Sequence, residues 1–176
     1  MKKIAFPMLA SLALITSAFA GQEVKESKEY KAIPDPCFKD TEFQLDLFGS
    51  YTDSVNRNPN GDGFGGGLAF NYFFMKYLGI GVDGNVFDGT GAVTWDVSGR
   101  IIARFPIETG SLCIAPYIFG GGGYEFDGAD VGTFHAGGGL EWRATHTLGL
   151  FGEGRYTWGA DEQDSAQVRA GVRFVF

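Results

Sequence analysis

Residues Ser165–Phe176 read SAQVRAGVRFVF, and their alternation decides the fold. Ala166, Val168, Ala170, Val172, Phe174 and Phe176 take every second position, with Gln167, Arg169, Gly171, Arg173 and Val175 between them. A period of two puts the first set on one face of a strand and the second on the other. Two arginines on one face cannot lie in hydrocarbon, and an unbroken apolar row ending in two phenylalanines is badly placed in water. A strand that is apolar on one side, charged on the other and closed by an aromatic suits the wall of a transmembrane β-barrel.

The opposite end of the chain is a processing signal. Lys2 and Lys3 precede a mostly apolar run from Ile4 to Ile15, broken only by Pro7 and Ser11, and Ala18-Phe19-Ala20 offers small residues for cleavage before Gly21. Residues 1–20 are therefore expected to be a cleaved signal peptide, because the run is shorter than the roughly 20 residues a helical span needs. Gly or a charged residue interrupts every later apolar run. That excludes helical inner-membrane proteins but not barrels, whose strands need only about 9–11 residues. The net charge of −7 becomes −9 once Lys2 and Lys3 leave with the signal, which argues against nucleic acid as a partner. Residues 21–40 are charged, carry Pro34 and Pro36 and lack periodicity, as a periplasmic N-terminal extension would. Residues 41–176 remain as one domain.

Eight alternating segments fill that domain: Thr41–Thr52, Phe64–Phe74, Tyr77–Phe87, Ala92–Phe105, Leu112–Phe126, Val131–Arg143, Thr147–Trp158 and Ser165–Phe176. Pro106 to Gly110 reads as a turn between the fourth and fifth. Half-buried soluble sheets alternate too, so three further features carry the argument. The strand count is even, so a chain that starts in the periplasm also ends there. With odd strands running outward, Tyr51, Trp95, Tyr124, Phe126, Phe134, Tyr156 and Trp158 fall at the outer rim. Tyr72, Phe74, Tyr77, Phe105, Trp142, Phe174 and Phe176 fall at the inner rim. Two aromatic girdles around an aliphatic belt match the two membrane–water interfaces.

The third feature is the polar face. Glu42, Asp46, Asp83, Asp96, Glu125, Glu141 and Glu153 stand against Arg100, Arg104, Arg143, Arg155, Arg169 and Arg173. No lysine follows Lys76, and arginine is the cation suited to enclosed, bidentate pairing. An eight-stranded barrel is just wide enough to be filled by its own side chains. Charges enclosed there must pair, since an unpaired one costs several kcal/mol. Strand adjacency predicts an interior network of Asp46, Asp83, Arg100, Glu153, Arg169 and Arg173. Arg100 is expected beside Asp83, and Arg169 between Glu153 and Asp46 across the closing seam.

Signal peptide, eight strands, polar plug and terminal phenylalanine together resemble the small outer-membrane β-barrels of the OmpA-transmembrane and OmpX type, over Thr41–Phe176. The resemblance implies an all-β, eight-stranded antiparallel up-and-down transmembrane barrel in the bacterial outer membrane. It also implies an internal Glu/Arg cluster, and an assembly signal in Phe174 and Phe176 read by the barrel assembly machinery. The chain is expected to depart from that type in its short outer loops and in lacking a periplasmic peptidoglycan-binding domain. Adhesion through long loops and anchoring to the cell wall are therefore not carried over.

Other candidates are weaker. Cys37 and Cys113 both fall on the expected periplasmic side, so an exported chain could bridge them or keep two buried thiols. A bridge would draw Pro34–Asp40 across the barrel floor. Gly61–Gly66 fits G-x-G-x-x-G, but no helix follows it. Asn56, Asn58, Asn60 and Asp62 suggest a calcium loop whose twelfth position is Gly67 rather than glutamate. The acidic loop residues Asp53, Asp62, Asp88, Asp127, Asp130, Asp161, Glu162 and Asp164 form either a solvated rim or a divalent-cation bridge to lipopolysaccharide phosphates. Barrels that deacylate lipid A carry a His–Ser pair two residues apart; here Gly137 follows His135, and the imidazole is expected to face inward. No catalytic, cofactor or metal site is expected. The sequence favours a monomeric outer-membrane barrel with a structural, membrane-stabilising role and a side-chain-plugged interior, in contact with outer-membrane lipids and lipopolysaccharide. A narrow passive pore is the rival, and a lipid A-modifying enzyme the third reading.

Overall fold

The computed structural model describes residues 36–55, 62–88, 93–109, 112–126, 131–159 and 164–176. The expected signal peptide, the extension up to residue 35, Asn56–Gly61, Asp127, Asp130, Asp161 and Glu162 lie outside the described residues. The strands are β1 (Glu42–Ser54), β2 (Gly63–Met75), β3 (Leu78–Asp88), β4 (Val93–Arg104), β5 (Ile107–Thr109), β6 (Leu112–Phe126), β7 (Val131–Arg143), β8 (Leu148–Gly159) and β9 (Ser165–Val175). Each pairs antiparallel with its neighbours in the order β4-β3-β2-β1-β9-β8-β7-β6, and β4 pairs with β6. The sheet is thus a closed ring of eight staves, as the alternation predicted. No described residue is helical.

β5 corrects one expectation. Ile107–Thr109 is not turn but a short strand paired with Leu112–Ile114. Pro106 has no N–H to donate, and the ladder is interrupted at Phe105 and Pro106. It is carried past that point because Phe105 N donates to Pro116 O at 2.8 Å. β5 therefore prolongs the β4 stave beyond the base of the ring, where Lys76 and Glu108 pair at 3.0 Å.

Closure is made by β1 and β9, in a register that sets Asp46 opposite Arg173 and Leu47 opposite Val172. Phe176 N donates to Phe43 O at 2.9 Å and Phe43 N to Phe176 O at 3.3 Å, so the terminal residue fastens the seam at the base. A one-residue slip would exchange the faces of every side chain on β9, so the alternation itself fixes this register.

Burial is inverted relative to a soluble domain. The enclosed side chains are mainly charged or polar, while Leu47, Leu68, Ile80, Val82, Val97, Ile101, Ile118, Leu140, Leu150 and Val168 face outward and exposed. Toward the crown, the end opposite the base, Tyr51 lies across from Phe64, Trp95 from Phe126 and Phe134 from Trp158. Toward the base, Phe43 stacks on Tyr72 with ring centroids 5.4 Å apart. Trp142, Phe105, Phe174 and Phe176 are also exposed there. Aromatic rims thus bracket an aliphatic belt.

Candidate functional site

Inward positions on the staves converge on the axis, and the pleat decides which side chains meet there. At the base, Glu42 of β1 accepts from Arg104 Nη1 at 2.8 Å and from Arg143 Nη2 at 2.5 Å. Arg143 also donates through Nε to Glu141. Glu141 in turn accepts from Arg173 Nη1 at 2.6 Å. Arg173 grips Asp46 bidentately, Nε to Oδ1 at 2.6 Å and Nη2 to Oδ2 at 2.7 Å. Arg100 Nη2 lies 3.7 Å from Asp46 Oδ2, and its Nη1 donates to both oxygens of Glu153 at 3.1 Å.

Glu153 Oε1 stands 3.5 Å from Arg169 Nη1, which donates to Asp83 Oδ1 at 2.5 Å. Arg155 completes the crown end, 3.4 Å from Asp83 and 3.1 Å from Asp96. The result is one unbroken chain of alternating charge from Arg104 to Asp96, six guanidiniums against six carboxylates. Every member is buried. Such pairs hold because each ion has at least one opposite neighbour within reach, although Arg155 Nε and Arg169 Nη2 are buried without a hydrogen-bond partner.

No protein-family model matches the chain, and no curated protein matches it in sequence. Solved structures do. The N-terminal β-barrel domain of Pseudomonas aeruginosa OprF superimposes with a TM-score of 0.61 at 15% identity, covering 77% of this chain and 97% of that one. Neisserial surface protein A (NspA) gives a TM-score of 0.59 at 18% identity, covering 77% and 97%. The fold is that of the small eight-stranded outer-membrane barrels. The outer membrane protein OprG from Pseudomonas aeruginosa agrees, with a TM-score of 0.53 at 12% identity over 81% of this chain and 99% of that one. At these identities the likeness concerns the path of the chain, and the chemistry of the lumen belongs to this chain's own residues.

All six residues expected in the interior network face the lumen of the barrel, but two expected pairings differ. Arg100 does not pair with Asp83; it reaches across the lumen to Glu153 and to Asn71 Oδ1, while Asp83 is held by Arg169 and Arg155. Arg169 meets Glu153, its partner in register, but Asp46 is taken by Arg173 instead. Adjacency along the wall predicted neighbours around the ring. Arg173 does keep its neighbour in register, Asp46, but the guanidiniums of Arg100 and Arg169 reach over the axis, to Glu153 and Asp83.

Aromatic rings fill the space between guanidiniums. Arg104 lies 3.8 Å above the Phe73 ring, Arg169 4.7 Å from Phe48, Arg173 4.7 Å from Phe151 and Arg100 5.1 Å from Phe119. Inward glycines make room for these rings. A Cβ at Gly139 would stand 2.7 Å from the Tyr117 ring, one at Gly137 2.6 Å from Phe119, and one at Gly67 2.8 Å from Phe48. Phe48 and Phe73 share the parity of Asp46 and Asn71, a signal that would have placed them inside from the sequence.

Cys37 and Cys113 are bonded, with Cα atoms 6.0 Å apart. The bond holds the strap Pro36–Asp40 at the base, where Phe38 lies between Arg104 (4.9 Å) and Arg143 (4.8 Å) and is only 1% exposed. His135 is enclosed beside Phe119, at 6.2 Å between ring centroids, and neither of its nitrogens has a hydrogen-bond partner. Gly63–Gly66 belong to β2 and lead into no helix, so the glycine motif lacks its phosphate-binding setting. Among the described residues, no three His, Cys, Asp or Glu side chains converge as a bound metal would require.

Proposed function

We propose that the protein is an integral outer-membrane barrel with a structural, membrane-stabilising role and an interior closed by its own side chains. The observation that carries this reading is the continuous ladder of six arginines and six carboxylates along the axis. A permeant ion would have to separate buried pairs, each costly to break. The exposed aliphatic belt between aromatic rims supports lipid as its surroundings. On this reading the signal peptide is cleaved on export, the barrel assembly machinery inserts the chain through its Phe174–Phe176 end, and the protein works as a monomer among outer-membrane lipids and lipopolysaccharide. It performs no catalysis: His135 is enclosed and Gly137 offers no nucleophile beside it.

A narrow pore is the second reading, favoured by one observation. Toward the crown, Asn85 Nδ2, Thr94 Oγ1, Thr133 Oγ1 and both nitrogens of His135 are buried without a protein partner. Purified protein in planar bilayers separates the two: no steady conductance is expected, and a stable ohmic current would replace the first reading by the second. Lipid A from a deletion strain should keep its acylation pattern; a change in mass would restore the enzyme reading.

A further inference from the structure

Two grooves of similar size cut the outward face of the wall, and they differ in polarity. One, of about 470 Å³ on β2–β4, presents Leu68, Phe70, Val82, Gly84, Trp95 and Val97. Asp83, Asn85 and Asp96 also border it, but their side chains are turned to the lumen and buried. Such a surface takes any hydrocarbon chain and selects none. The other, of about 460 Å³, crosses β7, β8, β9 and β1 at the level of the outer aromatic rim. Register sets Ala136, Tyr156, Ala166 and Asp53 side by side on those four staves, with Gly154, Val168 and Tyr51 one row closer to the base. Tyr51 and Tyr156 stand up from this floor, each braced by a second ring, Phe64 at 5.0 Å and Trp158 at 5.1 Å between centroids. The crown edge of the groove is acidic: Asp53 is exposed there, and the Tyr156 hydroxyl donates to Asp164 Oδ2 at 3.1 Å. Arg155 and Gln167 meet the groove only from behind, since their side chains bind Asp96 and Thr52 in the lumen. The edge therefore accepts hydrogen bonds, and no cationic side chain of the described residues covers it.

We propose that this second groove seats an acylated amino sugar of the lipid A kind, with one acyl chain over Gly154, Ala166 and Val168 and the sugar's N–H and O–H groups donating to Asp53. The proposal deepens the reading of the chain as an outer-membrane barrel among lipopolysaccharide, and rests on it, with the crown outward. The choice of lipid follows from where donors and charge lie. In an acylated amino sugar the amide N–H and the ring hydroxyls lie beside the root of the chain, where Asp53 can accept them. A glycerophospholipid has only ester oxygens at that level. Its donors stand beyond a phosphate, which the Asp53 carboxylate repels. The phosphates of lipid A sit on other ring carbons and are free to point to solvent. Depth agrees as well: an aromatic rim marks the membrane–water interface, so a sugar level with Tyr156 leaves its chain in the hydrocarbon below.

The test uses the full mature chain folded into vesicles of phosphatidylethanolamine and phosphatidylglycerol that also contain lipid A. After extraction in mild detergent, the lipids that stay bound are counted by native mass spectrometry. Gly154→Leu fills the floor, at a position where a Cβ meets nothing within 4 Å. Asp53→Lys reverses the charge of the edge, and Gly84→Leu fills the apolar groove as the control. A heat-modifiable gel shift shows that each variant is folded. The wild type and Gly84→Leu are expected to retain lipid A in preference to phospholipid. Gly154→Leu should lose it several-fold, and Asp53→Lys should exchange it for phosphatidylglycerol. Unchanged retention in Gly154→Leu, or an equal loss in Gly84→Leu, overturns the groove. Unchanged retention in Asp53→Lys, or phospholipid held as well as lipid A by the wild type, overturns the choice of lipid. A wild-type chain that neither inserts nor shifts on heating would instead overturn the outer-membrane reading itself, so the failures are told apart.

Discussion

Arg173→Ala is the substitution to which the ladder is most sensitive. Among the described residues, Arg173 joins the base pairs to the middle of the lumen: one guanidinium binds Asp46 through two bonds of 2.6 and 2.7 Å and Glu141 through a third of 2.6 Å. Truncation strands neither carboxylate completely. Asp46 keeps the Asn71 amide at 2.8 Å and the more distant Arg100, and Glu141 keeps Arg143. The loss is therefore that of one partner of a buried pair, about 3–5 kcal/mol, rather than twice that. It corresponds to roughly two to three and a half decades in the folding equilibrium. Urea titration of protein refolded into lipid vesicles, read by the heat-modifiable gel shift, measures it. The double variant Arg173→Ala/Asp46→Asn should cost about 0.5–3 kcal/mol less than the sum of the two single changes, because they act on one bond. A loss below about 0.5 kcal/mol for Arg173→Ala, the range of an ordinary surface change, would refute the ladder as a source of stability.

Two further outcomes follow from the packing. Gly139→Val places a Cβ 2.5 Å from Gly152 O and 2.7 Å from the Tyr117 ring, and should destabilise by about 1–3 kcal/mol in the same titration. Gly154→Ala meets nothing within 4 Å and serves as the neutral control. Deleting Phe176 removes both bonds that fasten the seam to Phe43 and should lower the inserted, heat-modifiable fraction in outer membranes several-fold. An unchanged yield would remove Phe176 from the assembly signal.

The sequence determined the staves and their faces because a period of two is a local property. Leu112–Phe126 and Val131–Arg143 match their expected bounds, and Arg169 and Arg173 lie inside as the alternation of the last strand required. Partner choice across the lumen is not local. Which carboxylate a guanidinium meets depends on stagger around the ring and on side-chain reach, so Arg100 found Glu153 rather than Asp83. The strand beyond Pro106 escaped for another reason: proline reads as a break, and only the opposite strand shows that pairing resumes after it. Phe38 sits in a segment with no periodicity, and the two cysteines were the one sequence feature that tied that segment to the floor.

The claim under all of this is orientation, with apolar side chains toward lipid and ions toward each other. The protein has three tryptophans, and all of them face outward: Trp95 at 56%, Trp142 at 44% and Trp158 at 48% exposure. Fluorescence of the protein in vesicles of lipids brominated along the acyl chain tests their surroundings directly. Bromines near the headgroup end of the chain should quench all three strongly, with aqueous iodide having little effect. Strong quenching by iodide, with none by brominated chains, would place that face in water and contradict the account.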